Sequence, residues 1–488
     1  MQTSNTALHY EKVDKQFLKE LRLVLADHQI TLDQDANSSL STGPLGSFRA
    51  FSSAQFLDIR SELIVRPENT DQVASVVSLA HKWKISITPY GSGTGVMGGT
   101  SPVYQGILLD LRRLNAVISV DPISHTVTAQ SGIILEILHN HLSDYGFMIG
   151  HDPWSQPIAT LGGAISTNGV GYLAAKHGTM GEQVLGLTVV LANGQILRDK
   201  KTSKDSMGPD TKHLFIGSEG TIGIITEATI RIYPLPEYFE LISFSFPSFT
   251  DGYQAILDMH KLTVSPSMLD FTEEIDSNVM PSYHEIYLHL AFEGSHAIVN
   301  TTIDETYKIC SQYNGIRMDS VRSTEFWNTR HAPAEVYKST LNLPVIERRE
   351  RNSRWRKDYL HVTIPPSQIL AYREECKVIT DRYGCKVTEW SIWGRPEFFS
   401  LIVGEPQPAN TFPRAMESVI NELLMSALAF DGTIEYCHGV GLKLSHLIHE
   451  EQGTKKAVLT LLKQSLDPHN VLNPGKLGYS YPGDLHHS

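Results

Sequence analysis

The densest group of glycines lies between residues 89 and 99, where the chain reads Pro-Tyr-Gly-Ser-Gly-Thr-Gly-Val-Met-Gly-Gly. Glycine has no Cβ, so such a segment can adopt positive φ angles and point successive backbone N–H groups at one anion. The chemistry that this pattern permits is the binding of a phosphate or a pyrophosphate. The window from Gly93 to Gly98 also matches G-x-G-x-x-G, which in a dinucleotide site requires a helix that begins inside the loop.

The residues after the loop do not predict that helix. Ser101-Pro102 interrupts any helical pattern, and the run Gly106-Ile-Leu-Leu-Asp-Leu111 is typical of a strand. The loop therefore joins one strand to another, and the rest of a nucleotide site has to come from other parts of the chain.

Three later segments have the composition of such a site. Residues 150–171 alternate small residues and hydroxyls with almost no charge, as a buried and closely packed ligand requires. Two shorter stretches, Gly217-Ser-Glu-Gly-Thr-Ile-Gly-Ile-Ile225 and Asp467-Pro-His-Asn-Val-Leu-Asn-Pro-Gly-Lys-Leu477, combine glycine with polar residues. The first loop and residues 150–171 together predict a nucleotide site.

One segment near the C-terminus places a histidine beside two glycines. In the segment Glu435-Tyr-Cys-His-Gly-Val-Gly441, the glycines allow the backbone beside His438 to approach a ligand. An imidazole with a pKa of about 6.5 can accept a hydroxyl proton at neutral pH, which is general base catalysis. A hydrogen-bonded structural histidine is the alternative, in which case Tyr436 and His446 are the next candidates for the base.

Periodicity predicts the elements that position these segments. A helix capped at Asn69 or Thr70 is predicted between strands at 63–65 and 85–88, and its apolar face consists of Val73, Val76, Val77 and Ala80. Further elements are strands at 107–111 and 126–130, a helix that carries Ile134 to Leu142 and ends near Gly146, and a hairpin over 185–197 that turns at Asn193-Gly194. No regular parallel βαβ repeat is predicted.

The residues before this glycine-containing region and the residues after it have different sequence patterns. Residues 11–30 predict a leading helix, and residues 31–58 predict a loop. After Pro234-Leu-Pro236 the glycine-rich pattern stops, and strand-like runs alternate with helices. These runs are 241–246, 286–292, 359–364 and 399–403.

In order and spacing, the four glycine-containing segments resemble those of the vanillyl-alcohol oxidase/p-cresol methylhydroxylase (PCMH) flavoprotein superfamily, from about residue 61 to residue 477. The resemblance implies an α+β fold. It implies an N-terminal helix and loop (1–58), a two-subdomain FAD-binding domain of PCMH type (59–237), an antiparallel-sheet cap domain for the substrate (238–431) and a C-terminal segment that returns to the FAD domain (432–488).

The same resemblance implies that FAD is the cofactor. Some relatives attach the flavin through a histidine in the glycine loop, where this chain has Thr94, so noncovalent binding is expected. The implied cofactor-binding residues are Tyr90, Gly91, Ser92, Gly93, Thr94, Gly95, Val96, Met97, Pro153, Trp154, Ser155, Ala159, Thr160, Gly162, Gly163, Ser166, Asn168, Gly169, Glu219, Gly220, Thr221, Gly223, Ile224, Ile225, Asn473 and Lys476.

The segment around His438 is similar to the Glu-His-Gly-Ile-Gly or His-His-Gly-Val-Gly element of D-lactate and glycolate dehydrogenases and of alkyl-dihydroxyacetonephosphate synthases. The likeness implies that His438 takes the hydroxyl proton of a D-2-hydroxy acid while hydride passes to flavin N5. It places Arg330, in Glu325-Phe-Trp-Asn-Thr-Arg330, at the arginine that grips the substrate carboxylate, and Lys357 near a second cationic position.

Other activities stay open within this resemblance. One is an alkyl-dihydroxyacetonephosphate-synthase-like transferase, and another is an oxidase of phenolic or aromatic alcohols, which suits Trp390, Trp393, Phe398 and Phe399. A flavin-binding scaffold without catalysis is the remaining alternative.

The chain departs from the metal-dependent 2-hydroxy-acid dehydrogenases. These carry His-x-Gly-Asp-Gly-Asn-x-His, where this chain reads Trp390-Ser-Ile-Trp-Gly-Arg-Pro-Glu-Phe-Phe399, and Cys437 replaces their metal-ligating glutamate. Without two imidazoles and a carboxylate, too few ligands remain for Zn²⁺. We therefore expect no metal.

Composition limits the partners. The 488 residues include 41 Lys and Arg against 53 Asp and Glu, and the resulting net charge of −12 disfavours nucleic acid. The four cysteines lack C-x-x-C spacing, and the sequence shows neither a signal pattern nor an apolar run of membrane-spanning length. We expect a cytoplasmic protein without a transmembrane segment whose partners are a small-molecule substrate and an unidentified electron acceptor, and a homodimer is compatible with this composition.

Overall fold

A computed structural model describes residues 10–275, 284–354, 356–404 and 414–479, so the ends of the predicted terminal segments, 1–9 and 480–488, lie outside the described residues. In chain order the strands are β1 (Ile30–Thr31), β2 (Leu63–Val65), β3 (Ile87–Tyr90), β4 (Ile107–Asp110), β5 (Val117–Asp121), β6 (Thr126–Gln130), β7 (Phe147–Met148), β8 (Val184–Val190), β9 (Ile196–Arg198), β10 (Ile224–Arg231), β11 (Tyr233–Pro234), β12 (Tyr238–Ser245), β13 (Met268–Ile275), β14 (His284–Gly294), β15 (Ile316–Arg317), β16 (Lys357–Thr363), β17 (Lys386–Trp393) and β18 (Phe398–Gly404).

The helices are α1 (Lys15–Leu21), α2 (Gln34–Ser41), α3 (Ser47–Ala50), α4 (Thr70–Trp83), α5 (Leu135–Ser143), α6 (Leu161–Thr167), α7 (Ala174–His177), α8 (Met180–Gln183), α9 (Lys212–Phe215), α10 (Phe249–Lys261), α11 (His296–Gln312), α12 (Ser320–Thr329), α13 (Ala332–Leu341), α14 (Val345–Ser353), α15 (Ile369–Arg382), α16 (Arg414–Ala429), α17 (Ile448–Gln452) and α18 (Lys455–Leu466).

The first sheet has the order β1-β2-β4-β3, and β2, β3 and β4 run parallel. The predicted helix is confirmed as α4, because the Asn69 side chain accepts a hydrogen bond from the N–H of Gln72 and the predicted apolar face is fully buried. The glycine loop leaves β3 and enters β4 without an intervening helix. The prediction that it joins two strands is therefore also confirmed.

The second sheet is antiparallel in the order β5-β6-β10-β8-β9 and has a hydrophobic core of its own. The predicted hairpin is formed by β8 and β9, and Gly194 at its turn has a φ of 84°. On α5 the predicted apolar pattern is only partly right, because Leu135, Leu138 and Leu142 are buried while Ile137 is 57% exposed.

The prediction of a loop over residues 31–58 is wrong. The segment contains α2, α3 and a short 3₁₀ helix at Phe51–Phe56. Asp33 caps α2 by accepting hydrogen bonds from Asp35 and Ala36, and α3 buries Phe48 and Ala50. These helices are too short to show a helical period in the sequence, and tertiary packing stabilises them. The leading helix is likewise shorter than predicted, since α1 ends at Leu21.

The third sheet is antiparallel in the order β15-β12-β14-β13-β17-β18-β16, as expected for the cap. β13 and β17 are not among the predicted strands, because acidic residues interrupt their apolar pattern. One face of the sheet packs against α10, α11, α15 and α16. Cross-strand pairing puts buried polar side chains on the opposite face, which we call the polar face: Ser243, His289, Asp270, Thr272, Ser391, Ser400 and His361.

After the cap, the chain returns to the first sheet. Ile87 of β3 donates a backbone hydrogen bond to Val471 O at 2.7 Å, and Asn473 N–H donates one to Ile87 O at 2.7 Å. Among the described helices, none is long and apolar enough to span a bilayer. The four cysteines are free.

Candidate active site

A long cavity is lined by residues from all four glycine-containing segments, and its free volume is about 1330 Å³ when the space at its open mouth is included. The predicted residues that line it are Tyr90, Gly91, Ser92, Gly93, Thr94, Gly95, Val96, Met97, Pro153, Trp154, Ser155, Ala159, Thr160, Gly162, Gly163, Ser166, Gly169, Glu219, Gly220, Gly223, Ile224, Ile225, Asn473 and His438. Segments that are far apart in the sequence are thus brought to one place.

Three residues assigned to the cofactor do not line the cavity and instead support the loops around it. Asn168 ends α6, and its side chain accepts a hydrogen bond from Gly181 N–H at 2.8 Å. The Thr221 hydroxyl donates to Ser218 O at 2.7 Å. Lys476 is buried and donates to Ser101 O at 2.7 Å. Burial lowers the pKa of Lys476 to about 7, although the Glu219 carboxylate opposes this shift.

Several lining residues were not assigned to the site from the sequence: Pro89, Gly99, Thr100, Leu111, Ser131, His151, Ala164, Thr167, Val170 and Cys437. Most lie next to predicted residues in the same glycine-containing segments, so their position in these segments could have identified them. Leu111 and Ser131 lack that signal, because each follows the end of a strand outside the glycine-rich segments. Burial lowers the pKa of His151 to about 4, so this imidazole is neutral at physiological pH.

The turn that carries His438 is held from two sides. The Glu219 carboxylate accepts hydrogen bonds from Val440 N–H at 2.6 Å and from Gly441 N–H. Met97 O accepts from Leu442 N–H at 2.8 Å. A Cβ on Gly441, whose φ is 53°, would lie 2.1 Å from Met97 O, so this position requires glycine. The end of the glycine loop and Glu219 therefore fix the backbone that follows His438.

His438 lines the cavity with 22% of its side chain exposed. Burial lowers the pKa of its imidazole to about 3, and the positive charges of Arg49 and Lys443 act in the same direction. The ring is therefore neutral at physiological pH and can accept a proton.

The two cations near His438 share one carboxylate. Asp358 Oδ1 lies 2.9 Å from Arg49 Nε and 2.6 Å from Lys443 Nζ, and all three side chains are buried. Burial opposes ionisation of Asp358, but Lys443 and Arg49 outweigh it and lower the pKa of this carboxyl. Two positive charges on one negative charge leave the cluster with a net positive charge close to His438. Arg49 comes from α3, in the segment that was predicted to be a loop.

A second histidine lies beside His438. The ring centroids of His361 and His438 are 4.6 Å apart at an interplanar angle of 65°. His361 is part of the polar face, and it was not singled out from the sequence. The available signal was its place in the predicted strand 359–364, but the sequence does not say which side of that strand faces His438.

The structure does not bring Arg330 or Lys357 to this cavity. Arg330 Nε lies 2.8 Å from Asp152 Oδ2, its guanidinium stacks 3.7 Å from the Trp327 ring centroid, and these residues line a separate cavity. Lys357 is exposed at the start of β16. The two cations were placed by motif spacing alone, and tertiary packing directs Arg330 to a buried carboxylate.

Replacing Arg330 with alanine should lower the free energy of unfolding by roughly 1 to 3 kcal/mol, because buried Asp152 loses a charged partner. KM for the substrate should change little. Denaturant unfolding and steady-state kinetics measure the two effects. Arg395→Ala is the matched control, since its pair with Glu182 is partly exposed and should contribute less than about 1 kcal/mol. A large rise in KM with unchanged stability would instead support a role in carboxylate binding.

No group of three or more His, Cys, Asp or Glu side chains within the described ranges is arranged to hold a metal ion. Cys437 lies at the cavity, and burial raises the pKa of its thiol above the usual range, so it stays protonated. A protonated thiol is a poor metal ligand.

Two family models match the chain in succession. The model for the FAD binding domain matches residues 61–200, and the model for the FAD linked oxidases, C-terminal domain, matches residues 235–477. The chain belongs to the FAD-linked oxidase family. The second match spans both the cap and the segment that carries His438.

Relatives of this FAD-linked oxidase include a glycolate oxidase subunit and a probable D-lactate dehydrogenase. Glycolate oxidase subunit GlcD of Bacillus subtilis (strain 168) is 28% identical over 426 residues, which cover 85% of this chain and 88% of that protein. A probable mitochondrial D-lactate dehydrogenase of Danio rerio is 29% identical over 431 residues, which cover 85% of this chain and 84% of that protein.

Solved structures show the same fold. A p-cresol methylhydroxylase with bound substrate superposes with a TM-score of 0.75 at 18% identity, covering 95% of this chain and 96% of that one. An alkyldihydroxyacetonephosphate synthase superposes with a TM-score of 0.74 at 21% identity, covering 98% of this chain and 87% of that one. The prediction of a PCMH-type FAD-binding fold with an antiparallel cap is confirmed.

The cofactor is FAD, and the lining of the cavity fits it. A Cβ added to Gly95 would meet no atom within 4 Å, so the backbone of the glycine loop borders free space where an anionic group can approach. Among the described lining residues none is Lys or Arg, so backbone N–H groups have to neutralise the pyrophosphate. Apolar residues such as Trp154, Ile224 and Ile225 provide walls for a planar ring.

Acid denaturation of the purified yellow protein should release all of its FAD. Thr94 lines the cavity at the loop position where some relatives carry the attaching histidine, and a threonine cannot form that bond. The measurement is the flavin absorbance of the supernatant after acid precipitation. Flavin that stays with the precipitate would show a covalent link, for which His151 is then the residue to test.

Proposed function

We propose that this FAD-linked oxidase oxidises a small D-2-hydroxy acid to the 2-oxo acid without a metal. FAD, when bound, accepts the hydride from the carbon that carries the hydroxyl group. The observation that carries the proposal is the position of the His438 imidazole on the wall of the FAD cavity, where burial lowers its pKa to about 3. Two relatives, a glycolate oxidase subunit and a probable D-lactate dehydrogenase, support this substrate class.

The residues around His438 perform three tasks in this reaction. The neutral imidazole of His438 takes the hydroxyl proton of the substrate as a general base. Glu219 and Met97 hold the turn that follows it, so that the imidazole keeps a fixed position. The net positive charge of the cluster formed by Arg49, Asp358 and Lys443 stabilises an anionic substrate nearby. In this proposal the positive charge of the cluster attracts the substrate carboxylate, the role that was predicted for Arg330 and Lys357.

An aromatic alcohol is the second candidate substrate. The rings of Phe398 and Tyr436 stack at 4.4 Å, and Trp393 lies 5.1 Å from His361, so aromatic walls stand next to the two histidines. A planar aromatic substrate would pack against them. A transferase of the alkyl-dihydroxyacetonephosphate-synthase kind has no observation of this sort in its favour.

Anaerobic flavin bleaching discriminates between these substrates. D-lactate, L-lactate, glycolate, p-cresol and vanillyl alcohol are each mixed with the oxidised enzyme in the presence of EDTA, and the flavin absorbance is followed. We expect rapid bleaching by a D-2-hydroxy acid and no effect of the chelator. Bleaching by the phenolic compounds alone would replace the proposal with the aromatic one, and no bleaching by either class would favour the scaffold alternative.

Electrons leave the reduced flavin to an acceptor that we propose to be a separate molecule. The four free thiols support a reducing compartment such as the cytoplasm, and a homodimer is the assembly that we propose to test first by light scattering.

A further inference from the structure

His361 has the placement of a second functional group in the site. Its ring lies 4.6 Å from that of His438 and 5.1 Å from that of Trp393. The residue is only 2% exposed, and it sits on the polar face of the cap sheet. Nothing in the roles already assigned to His438 makes use of this neighbour.

A chain of hydrogen bonds fixes one side of the His361 ring. The Tyr436 hydroxyl lies 2.9 Å from Ser400 Oγ, and Ser400 Oγ lies 2.7 Å from His361 Nδ1. The backbone N–H of Tyr436 also donates to His361 O at 3.1 Å, so the two residues are connected both directly and through Ser400.

The protons on Tyr436 and Ser400 determine the direction of these hydrogen bonds. The Tyr436 side chain is partly buried, and Ser400 is the hydrogen-bond partner of its hydroxyl among the described residues. A buried hydroxyl proton without an acceptor is costly, so Tyr436 donates to Ser400. Ser400 then donates its own proton to His361 Nδ1. In the neutral ring, the remaining proton must therefore be on Nε2.

The ring is also kept neutral. Burial, the neighbouring His438 and the positive charges of Lys443 and Arg49 all hold the pKa of His361 well below its usual value. The site thus pairs a neutral imidazole that can accept a proton with a neutral imidazole whose Nε2–H can donate a hydrogen bond.

We propose that His361 binds the substrate by donating a hydrogen bond from Nε2–H to a carboxylate oxygen of the 2-hydroxy acid whose hydroxyl proton His438 removes. The inference rests on the proposed function. A hydrogen bond to an ionised acceptor is stronger than one between neutral groups, so His361 contributes directly to affinity. Ser400 and Tyr436 act through His361 as positioning residues, because they determine which nitrogen carries the proton.

The protonation of His361 can be tested without any substrate. In holoenzyme labelled with ¹⁵N-histidine, the resonances lost in His361→Asn identify this ring. We expect a protonated Nε2 and an unprotonated Nδ1 at neutral pH, and Ser400→Ala should release Nδ1 from this constraint and shift its resonance. A ring that carries its proton on Nδ1, or that is doubly protonated, would overturn the proposal. The outcome does not depend on which compound the enzyme oxidises, so it is separable from a failure of the proposed function.

Kinetics test the contact with the substrate. His361→Asn should raise KM for the D-2-hydroxy acid roughly 10- to 100-fold with a smaller fall in kcat, the size expected for one hydrogen bond to a charged group. Ser400→Ala should raise KM by less. The matched control is Ser243→Ala, which removes the hydroxyl from another buried Ser–His pair of the polar face, at 2.6 Å from His289 Nδ1, and should leave both constants unchanged.

Two outcomes of the kinetic experiment would contradict the role of His361. One is an unchanged KM in a folded His361→Asn variant, and the other is an equal loss in Ser243→Ala and Ser400→Ala, which would show a general effect of opening the polar face. If His361→Asn does not fold, Ser400→Ala and the ¹⁵N resonances of the unmodified holoenzyme still decide the question.

Discussion

Replacing His438 with alanine should slow the reduction of the flavin by substrate roughly 10²- to 10⁴-fold, the usual contribution of a general base. FAD should stay bound, because the glycine loop and the segments at 153–169 and 219–225 that line the cavity are unchanged. Anaerobic stopped-flow, in which the visible absorbance of the oxidised flavin is followed, measures the rate. A variant that reduces its flavin at the unmodified rate would make His438 structural, and Tyr436 and His446 would be tested next.

The pH dependence of the unmodified enzyme provides a second measurement on the same residue. Burial, Arg49 and Lys443 lower the pKa of His438 to about 3. Protonation removes the base, and with a lowered pKa this occurs only when the pH falls towards that value. In holoenzyme labelled with ¹⁵N-histidine, the His438 ring should therefore stay neutral through the range around 6.5 in which an ordinary histidine titrates. The ring is followed directly because kcat/KM would also respond to the Glu435 carboxyl, which lies 3.8 Å from His438 Nδ1 and whose pKa burial raises to about 7. A His438 resonance that titrates with a midpoint near 6.5 would show that the imidazole is not held neutral.

Gly441→Ala should lower the free energy of unfolding by about 3 to 5 kcal/mol and abolish flavin reduction, which places it among the largest effects of a single substitution. The new Cβ would lie 2.1 Å from Met97 O, and the backbone at φ 53° disfavours any residue with a Cβ. Either the turn or the glycine loop has to move, and both border the FAD cavity. Thermal unfolding and anaerobic bleaching measure the two effects.

Gly453→Ala is the control for Gly441→Ala. Gly453 has a similar φ of 47°, but a Cβ there would meet no atom within 4 Å. The control should therefore cost only the conformational part, about 1 to 3 kcal/mol at φ 47° and ψ −123°, and leave flavin reduction intact. Equal losses in the two variants would mean that the backbone conformation, and not the contact with Met97, determines the requirement for glycine.

The sequence predicted the parts of the site that local composition encodes. Glycines at 91, 93 and 95 are needed wherever backbone has to approach a ligand, so the loop could be recognised before the fold was known. The antiparallel cap was predictable in outline from alternating strands, but β13 and β17 were not. Their acidic residues, such as Asp270 and Glu389, lie on the polar face of the sheet and are shielded from solvent there. An alternating pattern of apolar and acidic residues predicts a strand with one solvent-exposed face, so it does not reveal a sheet that is covered on both faces.

The environment of His438 was not predictable from the sequence. Arg330 was chosen because of its motif, whereas the cations that act on His438 are Arg49 and Lys443, which meet at Asp358. Which carboxylate a buried cation pairs with depends on three-dimensional packing between segments that are hundreds of residues apart. The same holds for His361, whose distance from His438 is determined by the contact between β16 and the C-terminal segment.

The pairing of β3 with the C-terminal segment has a consequence for biosynthesis. β3 is an edge strand, and one side of it is completed by residues 471–473. At the usual rate of translation of about 5 to 20 residues per second, the partner emerges roughly 20 to 80 s after β3. During that time the nascent chain exposes an unpaired edge beside an incomplete FAD cavity, which is a surface for aggregation. Chaperone binding to ribosome-bound chains should therefore be strongest before residues 471–473 emerge from the ribosome, and FAD should be incorporated only after they have emerged.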